Sequence, residues 1–470
     1  MKIAYFSPLP PSPSGISDYS ADLLPYLSDL VDVTVVAEKV DSVNADTLGK
    51  VTLCDYQAFE ATKACPEPSR RDGIPLSINV YQMGNSPYHR YIYPFILRYP
   101  GIVVLHDYVL HHFLAGISLG AGKEGNYLLE MGYNLGRAGL DMAHQVLEGK
   151  ASPPLFEEPL SRRVLDSSLG IIVHSSYVRD LILRERPLAN VKVIPMGIPI
   201  PQEMPREQAR GVLGLDKDAF IIASFGEASP HKRIDVVART FAKLREDHAN
   251  SLYIIVGNTM PSLDVHSMVE DLGLGDAVQV TGFVDKDMFT TYMMAADVCV
   301  NLRYPTAGET SASTLRTMAA GRATIISDVG AAQDLPDSVC IKIGVGGDEE
   351  EQLAGCLKSF IENRNAADTL GRVARQYIAE KHTLQGAARR YVSFINEVLN
   401  SSPLPIRNVM NDVGNSLDDV VLNKIASELS ALGVTGDDNN IIGMVSRLAG
   451  EVGIRNAANW RRAKKGEDGI

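Results

Sequence analysis

Residues 298–321 read VCVNLRYPTAGETSASTLRTMAAG, and the succession of regular and irregular segments within them indicates the architecture of the chain. The segment begins as a short apolar strand, Val298 to Leu302, and breaks into a loop at Pro305. From about Thr310 the apolar side chains recur at helical spacing until a glycine ends the helix. A second apolar strand over 323–327 follows at once, so the pattern predicts a strand-loop-helix-strand unit of an α/β protein.

The loop of this unit is a candidate phosphate site. Strand, polar loop and helix N-terminus together direct free backbone N–H groups and the positive end of a helix at one place. Here that place lies around Glu309, Thr310 and Ser311. Hydroxyl residues at this position also cap helices without binding any ligand. Spacing alone leaves both interpretations open.

Composition describes an ordinary globular chain and excludes one class of function. The 470 residues are too many for one core, which favours two large domains. With 45 basic against 57 acidic residues, the formal net charge is −12, which argues against nucleic acid as a partner. An anionic substrate would therefore have to be held by local cations and not by the overall field.

The cysteines and the hydropathy pattern bear on the compartment. The five cysteines are scattered and form no CxxC pair, so neither a disulfide framework nor a zinc site is expected. No stretch approaches the roughly 18 apolar residues that a membrane span requires. We therefore expect a cytoplasmic protein, with peripheral membrane contact left open.

The first half of the chain alternates strand-like and helical segments. Such a rhythm predicts a parallel, doubly wound sheet. The first helix is expected to be capped at Ser17-Asp18, and helical stretches are expected between the strands, notably over 126–147. Polar loops follow three of the predicted strands, at 84–86, 106–107 and 174–176, where open α/β sheets bind ligands. The strand-like runs are 2–6, 31–36, 77–82, 101–105, 170–173 and 191–194.

A proline-rich linker separates two similar halves. Residues 195–205 contain four prolines in eleven positions and cannot continue a central strand or helix. The strand-helix rhythm then restarts at 220–225, so we predict domains over 1–198 and 199–382, with a helix around 383–400 returning to the first. Residues 401–470 are predicted to form a helical extension or tail, with self-association through it as one role.

The second half opens with a pair of cations near a helix start. Gly226 allows a tight turn after the strand, and Lys232 and Arg233 follow just before an apolar helical face. Because a helix N-terminus disfavours cations, their position suggests that an anion lies between them and the dipole. Solvated surface charge is the alternative, and pairing with the loop at Glu309 favours the anion site.

His106 is the candidate catalytic residue of the first half. It follows an apolar strand and its loop is expected to face a cleft between the halves, although a histidine at a strand end is often structural. No group of His, Asp or Glu shows metal-ligand spacing, so no metal is predicted. No nucleophile elbow is present either.

Six short segments occur in a fixed order along the chain. They are SGISDYS (14–20), YQMGNS (81–86), VLHD (104–107), FGEASPHK (225–232), TGF (281–283) and GETSASTLRTMAAG (308–321). Together they resemble the group 1 (family 4) glycosyltransferases over roughly residues 1–400. The resemblance implies the GT-B fold, in which two Rossmann-like domains face a cleft and a C-terminal helix crosses back to the first. It also implies transfer of a hexosyl or related sugar from a nucleotide donor with retention of configuration, without metal or cofactor.

The resemblance also implies roles for individual residues. His106 matches the histidine near the reacting sugar carbon, Lys232 the lysine that neutralises the diphosphate, and Glu309 opens the loop that holds the sugar and distal phosphate. Gly15 matches a flexible loop over the site, and Gly282 matches a segment that holds the base. The other candidate donor-binding residues are Asn85, Gly226, Arg233, Phe283, Arg303, Thr310, Ser311, Ala312 and Arg316.

Two positions depart from the family pattern. Glu227 stands where an arginine is common, and Arg316 stands where the family carries the second of two glutamates, which usually binds the ribose. Ribose recognition and nucleotide identity are thereby left open. Arg316 or Arg303 is a candidate replacement for the missing diphosphate cation.

The predicted function is transfer of a sugar from a UDP- or GDP-sugar to a glycan, lipid-linked or small-molecule acceptor in glycoconjugate synthesis. One alternative is a non-catalytic relative that binds a sugar nucleotide as an assembly subunit. Another is a different GT-B enzyme, such as a sugar-nucleotide epimerase, which would need acid and base carboxylates that sequence alone does not locate in the cleft.

Overall fold

Two parallel β-sheets organise the chain. The structure, a computed structural model, describes residues 1–63 and 78–401. Within these residues every strand pairs with its neighbours in parallel register. The doubly wound architecture predicted for both halves is therefore confirmed.

The first sheet has the strand order β3-β2-β1-β4-β5-β6-β7. The order reverses between β1 and β4, so the carboxyl ends of these strands border the crevice where such sheets bind ligands. Every residue of β4 is buried, as expected for a central parallel strand covered on both faces. The strands are β1 (Lys2–Phe6), β2 (Asp32–Ala37), β3 (Val51–Asp55), β4 (Ile78–Met83), β5 (Ile102–Leu105), β6 (Gly170–Val173) and β7 (Val191–Val193).

The second sheet has the order β10-β9-β8-β11-β12-β13, with its reversal between β8 and β11. Val298 of β11 pairs with Ile222 of β8, which places the end of the 298–301 strand beside the end of 220–225. The strands are β8 (Phe220–Phe225), β9 (Ser251–Val256), β10 (Val278–Val280), β11 (Val298–Asn301), β12 (Ala323–Ser327) and β13 (Ile341–Ile343).

Helices cover both faces of the sheets. The described α-helices are α1 (Gly15–Ser28), α2 (Tyr56–Lys63), α3 (Ile92–Arg98), α4 (His111–Ser118), α5 (Glu124–Leu135), α6 (Arg137–Leu147), α7 (Arg162–Ser167), α8 (Ser176–Glu185), α9 (Arg206–Leu213), α10 (Ile234–Asp247), α11 (Val265–Asp271), α12 (Lys286–Ala295), α13 (Ala312–Ala319), α14 (Glu349–Glu362), α15 (Arg364–Lys381) and α16 (Leu384–Ser401).

Helix α16 returns from the second half and packs on the first sheet. Its Tyr391 hydroxyl lies 3.2 Å from that of Tyr19 on α1. Gly170 leaves room for it, because a Cβ there would stand 2.9 Å from Val398. Apolar side chains of α16 thus share one core with those of β1 and α1. The chain crosses between the halves twice, once through 195–205 and once at 382–384.

The structure corrects several local predictions. Two edge strands, β3 and β13, are absent from the predicted set, because each is short, partly exposed and mixed in polarity. The helical stretch predicted over 126–147 is divided into two helices, because Gly136, at φ +64°, separates α5 from α6. The predicted cap at Ser17-Asp18 is also wrong, since α1 already begins at Gly15.

Three sequence predictions concern features that the described residues only partly cover. Cys54, Cys299, Cys340 and Cys356 are free thiols, and the fifth cysteine lies outside the described residues. Among the described helices none is long and apolar enough to cross a membrane. The extension predicted over 401–470 lies, beyond the end of α16, outside the described residues.

Candidate active site

The reversal point of the second sheet gathers the charged candidates. Gly226 follows β8 at once, and Arg303 comes two residues after β11. The neighbouring pairing of β8 and β11 therefore brings the loop that carries Lys232 and the loop that carries Glu309 to the same edge. This is the place predicted from the sequence for a bound anion.

Glu309 is held at the centre of its loop by three donors. The guanidinium of Arg303 donates to Oε1, while the Thr306 hydroxyl (3.1 Å) and the Ala307 N–H (2.8 Å) donate to Oε2. Burial by itself raises the pKa of Glu309, but Arg303 and a backbone N–H outweigh it and hold the pKa below its ordinary value. Glu309 therefore stays ionised and fixes the orientation of Arg303.

The start of α13 is capped by Ser311. Its hydroxyl accepts from the Thr314 N–H at 3.2 Å, and the Asn301 amide donates to Ser311 (3.1 Å) and to Ser313 (2.7 Å). The capping interpretation of these hydroxyl residues is therefore confirmed. The first helical N–H groups, beginning at Ala312, lie beside this cap, so the phosphate interpretation remains compatible and untested.

Lys232 lies in a tight bend of the opposite loop. Its Nζ donates to the Phe225 carbonyl at 3.2 Å. Gly226 has φ +86°, and a Cβ there would stand 2.8 Å from that Nζ, so only glycine lets the ammonium fold back over the strand end. Burial, with the nearby Arg303 cation, lowers the pKa of Lys232 to about 7, although Glu227 and Glu309 partly oppose this.

Two predicted donor-binding cations are engaged elsewhere. Arg233, in the left-handed conformation at φ +55°, pairs with Glu349 at the start of α14 and so diverges from Lys232. Arg316 donates to the Asp22 carboxylate of α1 at 3.0 Å, which makes it part of an ion pair between the two halves. Of the two candidate replacements for the missing diphosphate cation, the structure brings only Arg303 beside Lys232.

His106 lies at the carboxyl end of β5 in a neutral environment. It is 6% exposed, and its Nε2 contacts the Gln82 carbonyl oxygen at 2.7 Å. Because that oxygen only accepts, Nε2 carries the proton, and Nδ1 has no hydrogen-bond partner in the described part of the chain. Burial and the neighbouring His174 and His89 imidazoles lower the pKa of His106 well below its ordinary value.

The loops of the first sheet come together as predicted. The Asn85 N–H donates to the Asp107 carboxylate at 2.8 Å, and the His106 and His174 rings lie 4.9 Å apart. Burial and the charge of Glu309 raise the pKa of Asp107 to about 7, against the opposite effects of the Asn85 N–H and Arg303. Two carboxyl groups, one from each half, therefore meet in the cleft.

The Glu309 loop docks on the chain that follows His106. The Val109 N–H donates to the Ala307 carbonyl at 2.9 Å, and a Cβ at Gly308 would stand 2.8 Å from the Tyr108 Cβ. Gly308, at φ +80°, is thus required both by its conformation and by this close approach. The two halves touch directly beside the candidate site.

A cavity of about 230 Å³ remains between the halves. It is smaller than the roughly 300–1,000 Å³ of drug-sized ligand sites. The cavity extends from the Glu309 loop toward the linker, and Lys232 and His106 are not among the residues that line it. Its polar lining comprises His174, Asn301, Arg303, Thr306, Glu309, Thr310, Ser311, Thr314, Ser327, Asp334 and His382.

The remaining predicted residues lie at the periphery. Gly15 is the first residue of α1, and a Cβ there would meet open space. Gly282 (φ +68°) forms an isolated bridge with Gly257 beyond the end of β9, and Phe283 beside it is 73% exposed. Gly282 and Phe283 lie at the carboxyl edge of the second sheet. None of their contacts tests a role in binding the base.

Sequence reasoning missed several residues of this site. Gln82 is buried at the end of β4, where an amide in an apolar run was the available signal. Asn301, which ties the α13 cap together, ends β11 in the same way. Within the described residues no group of three or more His, Cys, Asp or Glu is arranged to hold a metal ion.

Comparison with known proteins finds similarity to glycosyl transferases over part of the chain. Residues 205–377 match the family model described as Glycosyl transferases group 1. The alpha-monoglucosyldiacylglycerol synthase of Streptococcus pneumoniae is 25% identical over 168 residues, 34% of this chain and 38% of that relative. The uncharacterized glycosyltransferase YqgM of Bacillus subtilis is 23% identical over 259 residues, 54% of this chain and 68% of that relative. The chain thus spans well under half the length of the first of these relatives.

Solved structures share the fold at low sequence identity. Sucrose-phosphate synthase from Thermosynechococcus elongatus has a TM-score of 0.61 at 16% identity, over 85% of this chain and 100% of that one. Anabaena HepE in complex with UDP-glucose has a TM-score of 0.58 at 17% identity, over 85% and 100%. WaaG, a glycosyltransferase involved in lipopolysaccharide biosynthesis, has a TM-score of 0.56 at 15% identity, over 84% and 99%.

Proposed function

We propose that the chain transfers a sugar from a nucleotide-sugar donor to an acceptor hydroxyl, because residues 205–377 match the family model of group 1 glycosyl transferases and the chain has the GT-B fold. The proposed product keeps the anomeric configuration of the donor. A UDP-sugar is the first donor to test, since HepE, which shares the fold, was solved with UDP-glucose. The names of two similar proteins, a glucosyldiacylglycerol synthase and a lipopolysaccharide glycosyltransferase, favour a glycoconjugate as the product.

One observation carries the proposal: the loops of Lys232 and Arg303 contact each other at the reversal point of the second sheet, where the Tyr304 N–H donates to the His231 carbonyl at 2.7 Å. The Arg303 cation accordingly helps to lower the pKa of Lys232. Two cations that repel each other in a partly buried cleft are stabilised by an anion placed between them. A diphosphate supplies that anion, and the N-terminus of α13 adds free N–H groups from the same side.

The proposed chemistry assigns each residue a task. The bond between the anomeric carbon and the donor phosphate breaks, its electron pair leaves with the phosphate, and a bond forms to the acceptor oxygen. The departing phosphate takes the acceptor proton. Lys232 and Arg303 stabilise the charge on that phosphate, Glu309 orients Arg303, and His106 contacts the sugar as a neutral imidazole. Contact between the halves beside the site excludes water.

The two halves divide the substrates in this proposal. Residues 199–382 hold the donor, and 1–198 with the returning helix at 383–400 hold the acceptor. Separate halves allow the cleft to close only when both substrates are present, which limits hydrolysis of the donor.

A thermal-shift screen of UDP-, GDP- and ADP-sugars tests donor binding, because a ligand that binds the folded form raises its melting temperature. We expect one nucleotide class to stabilise the wild type and Lys243→Met, an exposed lysine of α10 that serves as the control. Lys232→Met should lose the shift. Stabilisation of all three proteins alike, or of none by any donor, would contradict the proposed donor site.

Two alternative functions are each favoured by one observation. A binding subunit is favoured by Arg316 and Glu227, which stand at positions where the family usually carries other residues. An epimerase is favoured by Asp107 and Glu309, which form the carboxyl pair that such an enzyme would need. A binding subunit would be stabilised by a donor that it neither hydrolyses nor transfers. An epimerase would release a changed sugar nucleotide without an acceptor, which product analysis by NMR detects.

A further inference from the structure

A group of partly exposed side chains from both halves lies beside the candidate site, and none of its members lines the cavity. We call Asn85, Asp107, His112, Phe156 and His231 the aromatic rim. Four come from the first half, and His231 comes from the second, next to Lys232. All five are neither buried in a core nor fully exposed, as expected of groups that line an opening.

Asn85 fixes two members of the aromatic rim at once. Its backbone N–H donates to Asp107 Oδ2 at 2.8 Å, and its side-chain amide contacts His112 Nδ1 at 3.1 Å. The other end of the amide accepts from the Phe113 N–H at 2.8 Å, so the side chain cannot rotate without losing a bond. Asn85 therefore sets the spacing of the two groups, holding the Asp107 carboxylate by its backbone N–H and the His112 imidazole by its side-chain amide.

Phe156 bridges the two halves of the aromatic rim. Its ring lies 4.7 Å from that of His112, edge to face, and 6.1 Å from that of His231. His231 is held by the Ser229 hydroxyl at 3.0 Å from Nδ1. Asp107 begins the segment on which the Glu309 loop docks, since the Val109 N–H donates to the Ala307 carbonyl at 2.9 Å, so the aromatic rim also adjoins that loop.

The aromatic rim offers polar atoms without partners. In the described part of the chain, no hydrogen bond reaches Asp107 Oδ1, His112 Nε2 or His231 Nε2. Because His112 Nδ1 accepts from the Asn85 amide, its Nε2 carries the proton and donates. The aromatic rim thus combines a hydrogen-bond acceptor (Asp107), a donor (His112) and an aromatic ring (Phe156).

We infer that the aromatic rim binds the acceptor, and that the acceptor is a polyhydroxylated ring such as a sugar or a cyclic polyol. Hydroxyl groups both donate and accept, which matches Asp107 Oδ1 and His112 Nε2, while the apolar face of a sugar ring packs on Phe156. A plain alkyl alcohol would leave these polar atoms unpaired, which costs binding energy. The inference rests on the proposed function and adds the substrate class of its second site.

The test supplies the donor identified by the thermal-shift screen with acceptors that differ only in the head group. Octyl glycosides of glucose, galactose, mannose and N-acetylglucosamine are compared with 1-octanol and with dioleoylglycerol vesicles. We expect transfer to at least one glycoside and none to the two alcohols that lack a ring. Transfer to octanol or dioleoylglycerol, or donor hydrolysis without transfer to any glycoside, would overturn the inference and leave donor binding intact.

Variants of the aromatic rim locate the binding site. Phe156→Leu keeps apolar volume but removes the flat face, and His112→Gln removes the imidazole donor. We expect each to raise the acceptor KM by about tenfold while the donor KM and the melting temperature stay unchanged. His144→Gln, at an exposed histidine of α6, is the control and should change nothing. An unchanged acceptor KM in both rim variants, or a rise in the donor KM instead, would overturn the assignment.

Discussion

The carboxyl edges of the two sheets share a topology but differ in chemistry. At the second sheet, Lys232, Arg303 and Glu309 form a charged cluster. At the first, His106 lies among Gln82 and other neutral groups, and its imidazole stays uncharged. The same strand reversal thus presents ions on one side of the cleft and neutral polar atoms on the other.

This difference separates two tasks that one site must perform. The charged edge suits a phosphate group, whose affinity depends on cations, whereas the neutral edge suits hydroxyl groups, whose recognition depends on geometry. The sheets supply only the scaffold, and the loops after β5, β8 and β11 supply the difference. Variants on each edge should therefore fail in different ways.

Removing the Lys232 cation should give the largest effect. We expect Lys232→Met to lower the transfer rate by about 10²–10³-fold, because a preorganised charge on the leaving group is lost. Initial rates at saturating donor and acceptor measure this, with Lys243→Met as the control. A loss below tenfold would show that the charged edge does not stabilise the leaving group.

His106→Gln should give the next largest effect and a different signature. The variant keeps a polar partner for Gln82 but lacks the imidazole, so we expect kcat to fall by about 10²-fold while UDP affinity stays within a few fold. Kinetics and calorimetric UDP titration separate the two quantities. Equal losses in kcat and in UDP affinity would contradict the assignment of different tasks to the neutral and the charged edge.

The pH dependence of UDP binding should identify the charged edge directly. Lys232 has a pKa of about 7, and a bound diphosphate favours its protonated form, so binding takes up a proton above that pH. Affinity should therefore fall as the pH rises from 7 to 9, by up to about tenfold per unit. Titrations of Lys232→Met should show no such slope.

The stability of the free protein should also depend on Lys232, but it should rise with pH whereas the affinity for UDP falls. The folded pKa of Lys232 lies below its unfolded value, so the unfolded state binds more protons between about pH 7 and pH 10. The free energy of unfolding of the wild type, relative to that of Lys232→Met, should rise with pH across this window. Denaturant melts of both proteins at pH 7 and pH 9.5 measure it, and parallel changes would exclude Lys232 as the cause.

The ion pair between the halves should matter least. Asp22 accepts from Arg316 at 3.0 Å and also pairs with Lys286, both from the second half. We expect Asp22→Asn to raise the donor KM about threefold with kcat unchanged, since partly exposed pairs contribute little. Glu397→Gln, which breaks the exposed pair with Lys192, is the control. A loss of transfer rate as large as that expected for Lys232→Met would show that Asp22 belongs to the donor site itself.

The sequence predicts the central strands well and the edges poorly. Runs such as 220–225 and 298–301 are apolar because both faces of the sheet are covered, so their pattern is strong. The edge strand β13 has three residues and one polar side chain, which leaves little signal. The helix break at Gly136 depends on one backbone conformation that spacing does not reveal.

At the site, the types of the functional residues are easier to predict from sequence than the partners with which their side chains interact. The residue types at Lys232, Arg303 and Glu309 follow from their place after strands. That Arg233 would be taken by Glu349, from a helix more than a hundred residues later, depends on tertiary contacts that neither loop encodes. Of the aromatic rim, only Asn85 was among the predicted site residues, and the grouping was missed because its members lie in four separate segments.

The two covalent connections between the halves run side by side. His382, where the chain returns, accepts at its backbone carbonyl from the Ile198 N–H at 2.7 Å, and its ring contacts the Met196 carbonyl at 2.9 Å. Gly197 permits the contact, since a Cβ there would stand 2.8 Å from the Leu384 Cα. Because the two connections are joined at one place, we expect the halves to open by rotation about the contact between Ile198 and His382.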